Sequence, residues 1–128
     1  MKKLTVVSAL GALAQETRLD IFRLLVQRGP EGLAAGVIGE RVGLPSATLS
    51  FHLAQLKHAG LVSARRESRS IIYTANYKTM NELLAYLTEN CCDGRPELCA
   101  AAPVTADGRS ERVQQETVAA RRTGRVSR

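Results

Sequence analysis

A chain of 128 residues with 45% apolar side chains and no tryptophan suits one small domain plus a tail. Its apolar runs stop short of the ~20 residues that cross a bilayer, which argues against a membrane partner. The net charge of +6, from 18 Lys and Arg against 12 Asp and Glu, favours a polyanionic partner.

The opening MKKLTVVSALGALAQE joins two lysines to a short apolar stretch, but Glu16, Arg18 and Asp20 follow with helical periodicity. That pattern reads as helix rather than as a leader, and it places the protein in the cytoplasm. Val6 to Leu13 form a weakly amphipathic helix. A second starts at Gln15-Glu16-Thr17-Arg18, with Leu19, Phe22, Leu25 and Val26 on one side and Ile21 and Leu24 widening the stripe. Glu16 suits its positive end and Arg28 its negative end. Gly29-Pro30-Glu31-Gly32 then breaks it.

Leu33 to Val62 is the stretch around which the chain is organised. Val37, Ile38 and Val42 repeat at helical spacing until Gly43-Leu44-Pro45, where proline pushes Leu44 out of the helical region. Ser46 is expected to cap the next helix. There Leu49, Leu53 and Leu56 make one apolar stripe, and Ala47, Thr48, Ser50, Phe51, Ala54, Gln55 and His58 lie away from it. Gly60 suits the left-handed residue that comes after a helix. Two readings fit these residues: a helix-turn-helix whose second helix enters the major groove, or a helical hairpin inside another all-α domain.

The residues after Gly60 favour the first. Leu61–Ala64 and Ile71–Thr74 are β-prone runs around Arg65-Arg66-Glu67-Ser68-Arg69-Ser70, a hairpin with three arginines at or beside its tip. Directly behind a helix-turn-helix, such a hairpin is a wing that meets phosphate oxygens. The expected DNA-contacting set is Ser46, Ala47, Thr48, Ser50, Phe51, Gln55 and Lys57 on the helix, with Arg65, Arg66 and Arg69 on the wing.

After the wing, Thr79 and Glu82 have capping-box spacing at the head of a last helix. Met80, Leu83, Leu84 and Leu87 make its stripe, with Tyr86 beside them. At the end of such a domain this stripe has nothing left to cover, so it is assigned to a partner copy. A core this small also gains from dimerising. The expected fold is therefore mainly α, in the order α-α-α-α-β-β-α. The domain spans 1–90, a cysteine segment 91–99, and a flexible basic tail 100–128.

Ala12-Leu13-Ala14-Gln15-Glu16-Thr17-Arg18-Leu19-Asp20-Ile21, then Ser50-Phe51-His52-Leu53, then His58-Ala59-Gly60-Leu61-Val62 resemble the ArsR/SmtB family of metal- and metalloid-responsive repressors. The resemblance covers roughly residues 8–92. It implies a winged helix-turn-helix homodimer that dimerises through its first and last helices and binds double-stranded operator DNA when ligand-free. The family commonly has a basic residue where this chain has Phe51; an aromatic there can meet a thymine methyl.

Cys91, Cys92 and Cys99 are the whole cysteine inventory, within nine residues of one another. Three thiols so placed are not a disulfide framework. On a continuous helix Cys91 and Cys92 would point about 100° apart, but Asp93-Gly94-Arg95-Pro96 breaks the helix and lets the three sulfurs meet. Structural zinc wants four ligands, and no histidine is near, since His52 and His58 belong to the reading helix. Soft thiolates select soft ions, and three of them match As(III) or Sb(III) without remainder. Capture is expected to depend on pH through thiol ionisation. Cd(II), Pb(II) or Bi(III) fit the same sulfurs, and a redox switch pairing Cys99 with Cys91 or Cys92 is a further reading.

The resemblance narrows the site further. Many arsenic-responsive relatives carry a Cys-x-Cys pair at the positions of Ala34 and Gly36, and zinc-sensing relatives use histidines on the last helix. Both are missing here. Some arsenite sensors of the family instead carry a vicinal pair and a third cysteine near the C-terminus. A different class, an arsenite-binding carrier without DNA function, leaves the basic wing unexplained. No phosphate loop or Ser/His/Asp pattern points to an enzyme.

Overall fold

The computed structural model describes residues 1–99, so the basic tail expected over 100–128 lies outside the described residues. Two helices open the chain. The first, α1 (Lys3–Leu13), begins three residues before the expected start and buries only Val6 and Ala9. The second, α2 (Glu16–Arg28), begins where the Gln15 side chain accepts a hydrogen bond from the Arg18 amide at 2.8 Å. Its buried face is Ile21, Phe22 and Leu25, while Leu19, expected in the stripe, is 42% exposed.

A two-residue strand that the sequence pattern does not announce, β1 (Leu33–Ala34), precedes α3 (Ala35–Val42). Gly32 makes the entry possible. Its φ is +72°, and a Cβ there would lie 2.5 Å from the Tyr73 carbonyl oxygen.

The corner between α3 and α4 (Ser46–His58) is set by Gly43 as much as by Pro45. Gly43 is left-handed, with φ +72° and ψ +38°, and the Leu44 amide returns to the Gly39 carbonyl at 3.0 Å. That six-to-one bond closes the last carbonyls of α3. The expected Ser46 cap is not made. Pro45 occupies the cap position without a side-chain bond, Ser46 is already helical, and the Pro45 carbonyl takes the Leu49 amide at 3.0 Å. Gly60 is left-handed, as expected, and the Leu61 amide reaches the Leu56 carbonyl at 3.0 Å.

The hairpin is β2 (Val62–Glu67) and β3 (Ser70–Ala75), paired antiparallel from Val62↔Ala75 to Glu67↔Ser70. Its turn is only Ser68 and Arg69. Strand β1 adds to the other side of β3 through Leu33↔Tyr73 and Ala34↔Ile72, giving the order β1-β3-β2. The chain is thus mainly α, a winged helix-turn-helix of order α-α-β-α-α-β-β-α.

The final helix α5 (Tyr77–Leu87) is capped by Asn76, whose side chain accepts from the Thr79 amide at 3.2 Å. Thr79 is therefore inside the helix, and Glu82 pairs with Lys78 at 2.8 Å instead of closing a capping box. The Tyr77 hydroxyl donates to the Val26 carbonyl at 2.9 Å, tying the start of α5 to α2. Ile21, Leu25, Ile38, Leu53, Leu56 and Leu61 are fully buried at the centre of the helical part. Met1–Thr88 make one compact unit, and a second begins at Glu89. Among the described residues, no helix is long and apolar enough to cross a membrane.

Candidate nucleic-acid interface and thiol site

The reading helix presents the surface that its periodicity implies. Leu49, Leu53 and Leu56 are buried, and Ser46, Ala47, Thr48, Ser50, Phe51, Gln55 and Lys57 are all exposed. Phe51 is 58% exposed and meets His52 edge to face, with ring centroids 5.6 Å apart. Base edges in a major groove are within reach of such a face.

The wing differs in detail from the expectation. Arg65 and Arg66 lie within β2, and only Arg69 is in the turn. Arg65 is engaged: its Nε meets Glu67 Oε2 at 2.6 Å and its Nη2 donates to the Glu31 carbonyl at 2.9 Å. That second bond ties the wing to the turn between α2 and β1. Among the described residues Arg66 and Arg69 form no ion pair; both are exposed, as is the paired Arg65.

The stripe assigned to a partner copy divides. Leu83 is 6% exposed and belongs to the chain's own core, with Met80 packed against it. The stripe did have something to cover. Leu84 and Leu87 stand 52% and 55% exposed. Leu4, Val7 and Leu10 on α1 are also bare, and α1 and α5 are in contact.

In the second unit the chain turns through Cys91–Gly94 and Pro96–Leu98, two short 3₁₀ turns. Asn90, Cys92, Asp93 and Gly94 all have φ between +51° and +77°. Asn, Asp and Gly tolerate this region, whereas cysteine is strained in it, a cost that sites of ligand capture often carry. The backbone reversal brings the three sulfurs together. Cys91 Sγ is 2.8 Å and Cys92 Sγ 3.4 Å from Cys99 Sγ, and all three lie within 4.8 Å of one another. An ion bonded at about 2.3 Å, the usual zinc–thiolate length, holds its sulfurs about 3.3 to 3.8 Å apart at bond angles of about 90 to 110°. The Cys92–Cys99 edge has that length, and the Cys91–Cys99 edge is about half an ångström shorter, so seating an ion requires those two sulfurs to part slightly. No carboxylate or imidazole joins the group among the described residues. Hydrogen bonding to Cys91, and next to Cys92, pushes the Cys99 thiol up to about 12 from its ordinary 9.0, and burial and the neighbours' charge add to the rise.

Fold and face together define a winged helix-turn-helix DNA-binding module. A family model described as "Helix-turn-helix domain" matches residues 13–64. The nodulation protein NolR of Rhizobium meliloti is 35% identical over 80 residues, 62% of this chain and 63% of NolR, so the chain matches just under two thirds of that relative. The transcriptional activator HlyU of Vibrio cholerae is 38% identical over 81 residues, 61% of this chain and 72% of HlyU. The HlyU structure superposes with a TM-score of 0.55 at 37% identity, covering 68% of this chain and 97% of HlyU. The homodimeric winged helix-turn-helix domain of Mb0332 from Mycobacterium bovis, described as a possible ArsR-family regulator, gives 0.56 at 35% identity, covering 65% and 74%. The chain belongs to the ArsR/SmtB-type family of winged helix-turn-helix transcriptional regulators.

Proposed function

We propose that this protein is a cytoplasmic, homodimeric transcriptional repressor that binds operator DNA when ligand-free and lets go when As(III) or Sb(III) occupies Cys91, Cys92 and Cys99. One observation carries the ligand: three sulfurs within 4.8 Å of one another, with no carboxylate or imidazole in the group among the described residues. Arsenous acid exchanges three hydroxides for three thiols and releases three waters, leaving a neutral, three-coordinate centre with one lone pair. A fourth protein ligand has no place in that product.

The dimer rests on DNA geometry and on the apolar strip. Paired half-sites about 34 Å apart need two reading helices, and Leu4, Val7, Leu10, Leu84 and Leu87 offer an apolar face for the second copy. In each copy α4 enters the major groove while Arg66 and Arg69 meet phosphates. Because the cysteine segment comes directly after α5 in the chain, capture of a ligand biases the helix that bears the dimer face. A shift in head spacing that weakens binding by the usual 1–3 kcal/mol, about 5- to 150-fold, suffices for release. Operator DNA must weaken arsenite binding by the same factor.

Fluorescence anisotropy on a duplex selected by the protein tests this, with and without arsenite, for the native chain and for C91S/C92S/C99S. Loss of affinity on arsenite in the native chain alone is expected. Unchanged affinity at saturating arsenite rules out the sensor, and no salt-dependent affinity for any duplex points to an arsenite carrier instead. Cd(II), Pb(II) and Bi(III) run as competitors rank the ions. HlyU is named an activator, so a run-off transcription assay reads the sign of regulation.

The 2.8 Å approach of Cys91 to Cys99 favours one second reading, a redox switch. Peroxide would oxidise the two thiols to a disulfide, with two waters formed. Release by peroxide that survives C92S but not C99S would identify it.

A further inference from the structure

Phe51 is the bulkiest group on the outer face of α4. At about 100° per residue it lies roughly 190° around the helix from the mean direction of Leu49, Leu53 and Leu56. It therefore stands on the crest that faces away from the core, 58% exposed. Its neighbours one turn away are Ala47 and Thr48 towards the N-terminus and Ala54 and Gln55 towards the C-terminus, all exposed. Along this crest no charged side chain occurs before Lys57.

Major-groove chemistry gives that composition a meaning. Arginine or lysine pairs with guanine O6 and N7, whereas the C5 methyl of thymine takes apolar contacts from Phe, Ala and the Thr methyl. A glutamine amide pairs with adenine N6 and N7. The wing arginines contribute affinity without choosing bases, so the choice falls to α4. We infer that the crest reads thymine–adenine pairs: the Phe51 ring, with Ala47 and Ala54 beside it, covers a thymine methyl, and Gln55 pairs with an adenine nearby. This rests on the DNA-binding reading above and names the part of the operator that α4 selects.

The experiment has two stages, both with the full chain. Duplexes are first selected from a random pool, and each enriched thymine is then replaced by deoxyuracil, which removes only the methyl group. Enrichment of T·A pairs is expected, with about a fourfold loss of affinity per half-site on removing the contacted methyl, the worth of one buried carbon group. F51A should bind the thymine duplex more weakly and lose that sensitivity, while its melting temperature stays unchanged because Phe51 is exposed and its removal opens no core. Deoxyuracil binding as tightly as thymine, or F51A keeping the full methyl penalty, overturns the inference. A pool from which nothing is retained fails at the first stage, and that result strikes the DNA reading itself.

Discussion

The guanidinium of Arg18 joins two helices: its Nη1 lies 3.3 Å from His52 Nδ1 on α4, and its Nε donates to the Ala12 carbonyl of α1 at 2.7 Å. A guanidinium only donates, so Nδ1 accepts and the imidazole carries its hydrogen on Nε2. The end of α1, the helix with the bare apolar strip, is thereby braced against α4. Arg18→Ala removes both bonds from a half-buried site and is expected to cost about 1–3 kcal/mol. Urea denaturation should show a lower midpoint with an unchanged slope, and Arg18→Lys, with one point donor, should fall between the two. An Ala variant as stable as the native chain would show that the brace carries no weight.

Helix α5 gives a contrast between neighbouring leucines. Leu83→Ala opens the chain's own core and should cost about 2–5 kcal/mol. Leu84→Glu with Leu87→Glu changes exposed positions only. Those variants are expected to keep their melting temperature when dilute yet sediment as monomers. A double variant that still sediments as a dimer would move the interface elsewhere.

The helical half was legible because a 3.6-residue period reports which face is buried, and Leu49, Leu53 and Leu56 all are. Strand β1 was not legible: two residues have no period, and its partner Tyr73 arrives from beyond the whole helix-turn-helix. Cap positions went astray where two candidates competed. Pro45 supplies the extended cap that Ser46 was expected to provide, and Asn76 precedes the Thr79 expected to start α5. The Met80-to-Leu87 stripe was read as one face, but it is wide enough to serve core and surface at once. The thiol cluster was visible because three cysteines sit close in sequence. The left-handed backbone at Cys92 that helps assemble them was not, since cysteine rarely adopts it, although Asp93 and Gly94 beside it tolerate it.

Gly32 is a position where a single methyl group should matter. Beyond the Tyr73 carbonyl, a Cβ would meet Thr74 Cγ2 at 2.6 Å, and φ +72° strains any other residue. Gly32→Ala is expected to detach β1 from β3 and to destabilise by more than the ~1–2 kcal/mol of the left-handed backbone alone. Gly43→Ala has the same φ but nothing within 4 Å, so only that backbone cost applies. Equal thermal shifts for the two variants would contradict the steric account.

On the wing, Arg66→Gln and Arg69→Gln should each weaken DNA binding across all sequences and lower the salt slope by about 1. Arg65→Gln acts differently. It frees the hairpin from the Glu31 carbonyl, and its exposed pair with Glu67 contributes little to stability. Its loss should appear as faster amide exchange in β2. Identical salt slopes for native and R66Q proteins would place Arg66 off the phosphates.

The raised Cys99 thiol separates two kinds of ligand. Its proton is present near neutrality and must leave whenever the sulfur is bound. A divalent soft cation displaces up to three protons, so its apparent affinity should climb up to ~1000-fold per pH unit. Arsenous acid releases water instead; its affinity should stay nearly flat from about pH 6 to 8 while the rate of capture rises with thiolate. For the ligand-free segment, what the Cys99 proton contributes to order is fully present below about 9 and lost as pH climbs towards about 12. Competition titrations across that range, with Cd(II) beside arsenite, read the slopes. A steep slope for arsenite would reject three-thiol exchange.

Leu33 and Ala34 hydrogen-bond to β3 and run straight into Ala35, the first residue of α3. The hairpin and the first helix of the corner are therefore yoked, and neither travels alone. On the proposed mode of DNA binding the two would meet a duplex as one rigid unit, so tolerance for variant spacing within one half-site should be low.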